Sequence, residues 1–189
     1  YLLKVQSGCP ILLILEKIMA FSENLTNKQV WDSLYKDKKM LSAAPWSEVV
    51  SALFNYMPEK GKKILEVGCG SGSNILFAAS LGYEVAGIDI SEYAIKHAQD
   101  KFSSEGLKAD LSVSEFFPLK FNDNTFDFVI DRGALLCINM TECAKAIGEI
   151  HRVMIQGGRF LFTPRSDWHS FAISGKTDDD RLVGGYREG

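Results

Sequence analysis

Three glycines at alternate positions, Gly68, Gly70 and Gly72, mark the part of this sequence that is best suited to chemistry. They follow a short apolar run that contains Glu66, and an amphipathic stretch comes after them. Glycine lets the backbone turn sharply and approach a ligand where a Cβ atom would collide. A helix that begins after such a loop points its unpaired N–H groups at the same place. The segment therefore predicts a loop that holds part of a nucleotide.

A carboxylate at the end of the next apolar run supports this prediction. Asp89 follows the glycines by about 20 residues, the distance at which nucleotide-binding folds place an acid on a ribose hydroxyl pair. The alternative is that Asp89 caps the next helix beside an ordinary tight turn. The dinucleotide pattern GxGxxG fits poorly, because Ser73 stands where its third small residue would fall. A nicotinamide-dependent oxidoreductase is therefore kept only as an alternative function.

The elements that must position these residues alternate between short apolar runs and amphipathic stretches. Strands are predicted over 63–67, 84–88, 108–113, 126–130 and 159–163. Helices are predicted over 73–81, 91–102 and 141–154. This order is typical of an α/β fold with a doubly wound, mostly parallel sheet and helices on both faces. In such a sheet, ligands bind at the carboxyl ends of the strands.

Two helical patterns precede the glycine loop. The first covers 27–36 and carries Trp31 and Tyr35, with Thr26 or Asn27 as N-cap. The second follows Pro45, with Ser47 as the predicted cap. We divide the chain into an N-terminal tail (1–25), a helical segment (26–58), an α/β core (59–174) and a polar C-terminal tail (175–189). The tail at 178–189 shows no strand-like alternation, so we expect the strands that would complete the sheet to be missing from a truncated chain.

Composition narrows the classes of partner. The 189 residues are 46% hydrophobic and 24% charged with a formal charge of -3, which predicts one globular domain. No cluster of Lys and Arg suits a phosphate backbone, so we expect no nucleic-acid partner. The apolar run over 10–20 is interrupted by Glu16 and Lys17 and is shorter than the roughly 20 residues of a membrane span, so no membrane association is expected. The four cysteines lack metal-ligand spacing, which favours free thiols in a reducing, cytoplasmic compartment and no metal site.

Several motifs in order along the chain resemble one family. ILEVGCGS over 64–71 resembles the glycine signature of Rossmann-like, class I S-adenosylmethionine-dependent methyltransferases, and GIDIS over 87–91 resembles their second-strand motif. VSEFFPLKF, FDFVID and QGGRFLF resemble the segment after the third strand, the fourth strand and the turn into the fifth. The resemblance implies a Rossmann-like fold, S-adenosylmethionine as cofactor and methyl transfer as the reaction.

The resemblance also assigns a role to each part of the glycine loop. Glu66 would fix the loop near the methionine amino group of the cofactor. Gly68 and Gly70, with Cys69 between them, would make room for the methionine portion. Asp89 would bind the ribose hydroxyls.

The same resemblance places four further residues around the cofactor. Ile90 would pack on the adenine ring, and Phe116 would form a neighbouring apolar wall. Glu115 stands where the family often has an aspartate near the adenine amino group. Asp131, at the end of the fourth strand, would face the sulfonium and the acceptor.

Aromatic side chains of the N-terminal helical segment resemble the lid of small-molecule methyltransferases of the thiopurine and tellurite-resistance types. Trp46 would cover the cofactor, while Trp31 and Tyr35 would line the acceptor side and exclude water. The alternative is that all three side chains belong to a helix core. This lid-like segment and the lack of a basic surface favour a small-molecule methyl acceptor.

Three residues are candidates for work on the acceptor. Asp131 is the predicted general base if the acceptor must lose a proton, and Arg132 would hold an anionic acceptor. Alternatively, Asp131 caps a turn and Arg132 is a solvated surface charge. His169 lies in the loop after the fifth strand, which would border the acceptor entrance. A module that binds S-adenosylmethionine without turnover is the remaining alternative to an enzyme.

Overall fold

A computed structural model describes residues 26–57, 59–163, 176–178 and 181–183 of the chain. Five parallel strands form its central sheet in the order β3-β2-β1-β4-β5. The strands are β1 (Lys63–Val67), β2 (Glu84–Asp89), β3 (Asp110–Val113), β4 (Phe126–Asp131) and β5 (Met154–Phe162). The chain proceeds outward from β1 to β3 and then returns to the other side of β1. This confirms the predicted doubly wound α/β fold.

Five helices in the described part of the chain accompany the sheet: α1 (Asn27–Lys36), α2 (Ser47–Tyr56), α3 (Ser73–Ser80), α4 (Glu92–Ser104) and α5 (Met140–Val153). A short 3-10 helix, Leu135–Cys137, precedes α5. Polar caps begin three of the five helices. Thr26 accepts a hydrogen bond from Gln29 N within a capping box, Ser91 caps α4, and Asn139 caps α5. These side chains satisfy N–H groups that have no partner inside the helix.

The core lies in two layers, one on each face of the sheet. One layer joins Ile64 of β1 to helices α2, α3 and α4 through side chains such as Leu53, Ile75 and Ile95. The other joins Leu65 to α5 through Ile150 and its neighbours. Successive residues of a strand point to opposite faces, so the continuous apolar run of β1 supplies both layers.

Several element boundaries differ from those predicted. Strand β3 begins at Asp110, and β5 begins at Met154 because its pairing with β4 shifts register between Phe126 and Phe128. The predicted cap Ser47 is instead the first residue of α2, and Trp46 is the N-cap without a side-chain hydrogen bond.

The C-terminal region contains two short strands, β6 (Lys176–Asp178) and β7 (Arg181–Val183), which form an antiparallel pair separate from the main sheet. The segment 178–189 therefore contains β7 despite its lack of strand-like alternation, but neither short strand pairs with the central sheet. The predicted N-terminal tail (1–25) lies outside the described residues. Within the part of the chain that the structure describes, no helix is both long and apolar enough to cross a bilayer.

Candidate functional site

A cavity of about 820 Å³ opens at the carboxyl ends of the strands, beside the point where strand order reverses between β1 and β4. Its volume falls within the roughly 300–1,000 Å³ of small-molecule sites. It brings together most of the predicted site residues: Trp31, Tyr35, Trp46, Glu66, Gly68, Cys69, Gly70, Asp89, Ile90, Glu115, Phe116 and Arg132. In the described residues, no group of three or more His, Cys, Asp or Glu side chains is arranged to hold a metal ion.

The glycine loop has a backbone that requires glycine. Gly68, Gly70 and Gly72 have φ angles of 68°, 53° and 77°, in the left-handed region that other residues rarely adopt. A Cβ atom on Gly68 would collide with the side chain of Ala134, and one on Gly70 would collide with the hydroxyl of Tyr35. The loop can therefore approach both the β4–α5 connection and α1 closely.

Asp89 holds the loop to the end of β2. Its Oδ2 accepts a hydrogen bond from Gly70 N at 2.9 Å, and its Oδ1 accepts one from Ser91 N at 2.9 Å. The side chain is buried, and this burial raises the pKa of its carboxyl. A carboxylate oxygen has two lone pairs, so each Asp89 oxygen keeps capacity for another donor. Asp89 thus orders the loop and the start of α4 while it lines the cavity.

Glu66 is a buried acid on the cavity wall, 2% exposed. Its Oε1 accepts a hydrogen bond from Asn74 Nδ2 at 2.6 Å, whereas its Oε2 is buried and has no partner among the described residues. Burial raises the pKa of Glu66 to about 8, and the negative charges of Asp131 and Asp89 raise it further against the lowering effect of Asn74. An unpaired buried acceptor costs about 1–3 kcal/mol. A cationic or N–H-bearing ligand group would remove this cost.

Two polar residues that the sequence analysis did not identify connect the glycine loop to the N-terminal helices. Asn74 Oδ1 accepts a hydrogen bond from Trp46 N at 2.9 Å. Lys101 Nζ donates to the carbonyl oxygen of Ser42 and to the hydroxyls of Ser71 and Ser73. These contacts follow no local motif, because they join residues that lie 28 to 59 positions apart.

Helix α1 is attached to the start of α4 by a third such residue, Asp32. Its Oδ1 accepts hydrogen bonds from the Ser91 hydroxyl at 2.7 Å and from Glu92 N at 3.0 Å. The negative charge lies at the N-terminus of α4, where the helix dipole stabilises it. Asp32 therefore positions α1 over the cavity.

The three aromatic residues predicted as a lid differ in burial. Tyr35 is buried, Trp31 is half-buried, and their ring centroids lie 6.3 Å apart. Trp46 is 42% exposed, and the guanidinium carbon of Arg132 lies 3.9 Å from its ring centroid. All three side chains line the cavity, although Tyr35 also belongs to the buried core. A place in a lid and a place in the helix core are therefore compatible for these side chains.

Asp131 is not among the residues that line the cavity. Its side chain is fully buried, and its Oδ1 accepts hydrogen bonds from Ala134 N and Leu135 N, both at 2.9 Å. Burial raises the pKa of its carboxyl. N–H groups of the chain after β4 thus cap one oxygen of Asp131, whereas its Oδ2 is buried and has no hydrogen-bond partner among the described residues, so its role at the acceptor stays a prediction. His169 lies outside the described residues.

Comparison with known proteins agrees with this geometry. Residues 65–162, just over half of the chain, match the family model described as a methyltransferase domain. The chain belongs to the class I S-adenosylmethionine-dependent methyltransferase family. The matched segment of this methyltransferase domain begins in β1 and ends at the last residue of β5, so it contains the glycine loop and Asp89.

The relatives differ in size and in substrate. An uncharacterized methyltransferase of Schizosaccharomyces pombe is 44% identical over 72 residues, which are 38% of this chain and 50% of that protein. The eEF1A lysine and N-terminal methyltransferase of Mus musculus is 26% identical over 152 residues, 74% of this chain and 22% of that protein. Haemonchus contortus phosphoethanolamine N-methyltransferase 2, solved with S-adenosyl-L-methionine, has a TM-score of 0.56 and 27% identity over 63% of this chain and 28% of that chain. The chain therefore spans half the length of these relatives or less.

Proposed function

We propose that the cavity binds S-adenosylmethionine and that the protein transfers its methyl group to a small-molecule acceptor. The observation that carries the cofactor assignment is the unpaired Oε2 of Glu66 on the cavity wall. An oxygen of this kind matches an ammonium group, and S-adenosylmethionine carries one beside its cationic sulfonium. The buried Asp89 adds a second acid to the same wall.

The residues present fit the cofactor along the length of this wall. Glu66 would accept hydrogen bonds from the amino group, while Gly68 and Gly70 bring bare backbone next to the methionine portion. Asp89 would bind the ribose hydroxyls through its remaining lone pairs. Ile90, Glu115 and Phe116 line the part of the cavity at the ends of β2 and β3, where an adenine ring would lie.

The protein's own contribution to the reaction is positioning. When bound, the cofactor supplies a methyl group on a sulfonium, which a nucleophile displaces in line. The walls must align that nucleophile and keep water out, because proximity and orientation supply much of the rate. Trp31, Tyr35 and Trp46 line the cavity, and we propose that α1 and α2 serve as its lid.

A small-molecule acceptor is supported by the shape of the site. Aromatic side chains from α1 and from the residue before α2 line the cavity together with the β4–α5 connection, whose Arg132 contacts Trp46. The family relatives act on different substrates, as their names state, so the acceptor is an inference from this chain's cavity. A protein acceptor is therefore the alternative that the experiment must separate.

Binding of S-adenosylhomocysteine, S-adenosylmethionine and NADH, measured by calorimetry on the 189-residue chain, tests the cofactor assignment. We expect micromolar affinity for the first two ligands and no heat with NADH; the opposite pattern would mean an oxidoreductase site. Asp89→Ala should weaken S-adenosylhomocysteine by at least about tenfold, because a hydrogen bond to a charged group contributes roughly 1.5–3 kcal/mol. Asp110→Ala is the matched control, since Asp110 is exposed at the far end of the neighbouring strand.

The acceptor class can be tested with S-adenosylmethionine labelled in its methyl group. The protein is incubated with a cell extract that has been separated into a metabolite fraction and a protein fraction. Label transferred only to metabolites supports the proposal, whereas label transferred to proteins contradicts it. Cofactor binding without any transfer would indicate the non-catalytic module.

A further inference from the structure

Arg132 is a cavity residue on the acceptor side whose contacts are not accounted for by a role in holding the fold together. It is the first residue after β4, it lines the cavity, and its guanidinium lies 3.9 Å from the centroid of the Trp46 ring. Stacking on an aromatic face uses the flat side of a guanidinium and leaves the N–H groups along its edge free to donate. The guanidinium of Arg132 therefore keeps its N–H donors available to bind a ligand.

The charge of Arg132 is not neutralised within the described residues. No carboxylate there forms an ion pair with it, and its buried Nε has no hydrogen-bond partner. Glu48 is an acid whose charge interacts with that of Arg132, yet its Oε2 accepts from the Ser47 hydroxyl at 3.1 Å. The pKa of Glu48 is lowered mainly by its own backbone N–H and by Ser47, and only last by Arg132.

Arg152 is an arginine of the same fold whose hydrogen bonds serve the structure, and it offers a comparison for Arg132. Its Nε and Nη2 donate to Glu149, its Nη1 donates to Asp123, and its two Nη atoms also donate to the carbonyl oxygens of Phe121 and Leu119. Every nitrogen of Arg152 is thus engaged. Arg132, half-buried beside a cavity, has none of these contacts.

We infer that Arg132 is a specificity residue that binds an oxyanion, a carboxylate or a phosphate, on the methyl acceptor. This inference rests on the proposed function and narrows its acceptor to an anionic small molecule. A guanidinium edge matches two oxygens of either group in a bidentate geometry. Lys145 also lines the cavity and adds a positive charge. Glu142, which lies beside it on α5, carries a negative charge that reduces the net positive charge of this wall.

The acids of the cofactor side explain why the anion would bind at Arg132. Glu66 and Asp89 line the cavity there, and in their ionised forms they would repel an acceptor anion. An acceptor held by its oxyanion at Arg132 is therefore oriented, with its remaining atoms directed away from the guanidinium. Trp46 would fix the guanidinium plane and so fix the direction of approach.

The test is a panel of matched ligands titrated calorimetrically into the protein, with and without S-adenosylhomocysteine. Benzoate and a short aliphatic carboxylate are each compared with the primary amide, and phenyl phosphate is compared with phenol. We expect at least one anion to bind about tenfold more tightly than its neutral counterpart, and the pair that shows it distinguishes a carboxylate site from a phosphate site. If no anion exceeds its neutral partner, the inference is wrong.

Variants separate Arg132 from general positive charge. Arg132→Gln should abolish the preference for the anion, and Arg132→Lys should retain only part of it, because an ammonium lacks the planar fork. Arg159→Gln is the matched control, since Arg159 lies 5.2 Å from the Tyr56 ring and is not on the cavity wall. A preference that survives Arg132→Gln also overturns the inference.

Failure of the proposed function has a separate signature. If S-adenosylhomocysteine does not bind to the wild-type chain, the cofactor assignment fails, but the titrations without it still decide whether Arg132 selects anions. Unchanged S-adenosylhomocysteine affinity in Arg132→Gln shows that the variant is folded, so a lost preference cannot be assigned to unfolding.

Discussion

The two walls of the cavity are built in different ways. The cofactor wall consists of strand ends and the glycine loop, where Glu66 and Asp89 are buried and held by hydrogen bonds from Asn74 and from the backbone. The acceptor wall consists of side chains from α1, α2 and the β4–α5 connection, and Trp46 on it is 42% exposed. The first wall is fixed by main-chain geometry, and the second by contacts between side chains.

The walls also differ in charge. Glu66 and Asp89 belong to the cofactor wall, while Arg132 and Lys145 lie on the acceptor wall together with Glu142. Under the proposed function, this difference would let one cavity hold a cationic ligand and an anionic one without a partition between them. It also means that changes to the two walls should have effects of different size and kind.

The largest effect is expected from Gly68→Ala on the cofactor wall. The residue would have a positive φ, which costs about 1–2 kcal/mol, and its Cβ would collide with Ala134, which adds about 1–3 kcal/mol. Equilibrium unfolding and S-adenosylhomocysteine titration measure the two consequences, and affinity should fall more than about tenfold.

Gly106→Ala is the matched control for this change. Gly106 has a φ of 66°, close to that of Gly68, but a Cβ there meets no atom within 4 Å. It should therefore show the cost of the backbone conformation alone and leave cofactor affinity intact. Equal destabilisation by both variants would show that the loop is not closely packed.

A smaller effect, on the charge of the cofactor wall, is expected from Glu66→Gln. Burial raises the pKa of Glu66 from 4.5 to about 8, so the folded protein holds this proton more tightly than the unfolded chain. The resulting contribution to stability is complete below pH 4.5 and is lost as the pH rises through about 8. The free energy of unfolding, measured across this pH range, should decline as the pH rises, and the decline should be shallower in Glu66→Gln than in the wild type.

Some decline should remain in the variant, because burial also raises the pKa values of Asp89 and Asp131. Glu84→Gln, at an exposed position at the start of β2, should leave the wild-type slope unchanged. Cofactor affinity should rise with pH through about 8 in the wild type only. Identical slopes for Glu66→Gln and the wild type would show that Glu66 ionises normally.

The smallest effect is expected at the attachment of the N-terminal helices. Lys101→Met removes the donor to Ser42, Ser71 and Ser73 but keeps the apolar stem of the side chain. Each lost hydrogen bond contributes about 0.5–1.5 kcal/mol. Removal of the charge offsets part of this loss, because burial of the ammonium lowers the pKa of Lys101 and so disfavours its charged form. We expect faster proteolysis between α1 and α2 and little change in overall unfolding. Lys96→Met, at an exposed site on the same helix, is the control, and equal proteolysis rates would contradict the attachment.

The cofactor wall could be predicted from the sequence because its signals are local. The buried run of β1, the three glycines and Asp89 each follow from a short pattern, and the sheet places them together. The caps Thr26 and Ser91 were predictable for the same reason. Errors at the starts of β3 and β5 arose where register and a bulge, which depend on the partner strand, set the boundary.

The contacts between the walls could not be predicted in this way. Asn74, Lys101 and Asp32 act on partners far along the chain, and a single polar residue in a helix has no periodic signal. For Asp131 the sequence left two roles open, because a carboxylate at a strand end serves equally as a ligand contact or as a turn cap. Only the path of the chain after β4 distinguishes these roles.

The amide of Asn74 joins the two walls through one side chain. It donates to Glu66 Oε1 and accepts from Trp46 N, so the orientation that serves one partner fixes the other. A ligand at Glu66 that favours this amide orientation would change the binding free energy of a ligand at Trp46. The second ligand must change the binding free energy of the first by the same amount, because linkage is reciprocal. Acceptor and cofactor would then bind with mutual cooperativity, and the order of their addition would change the rates of binding but not the final occupancy.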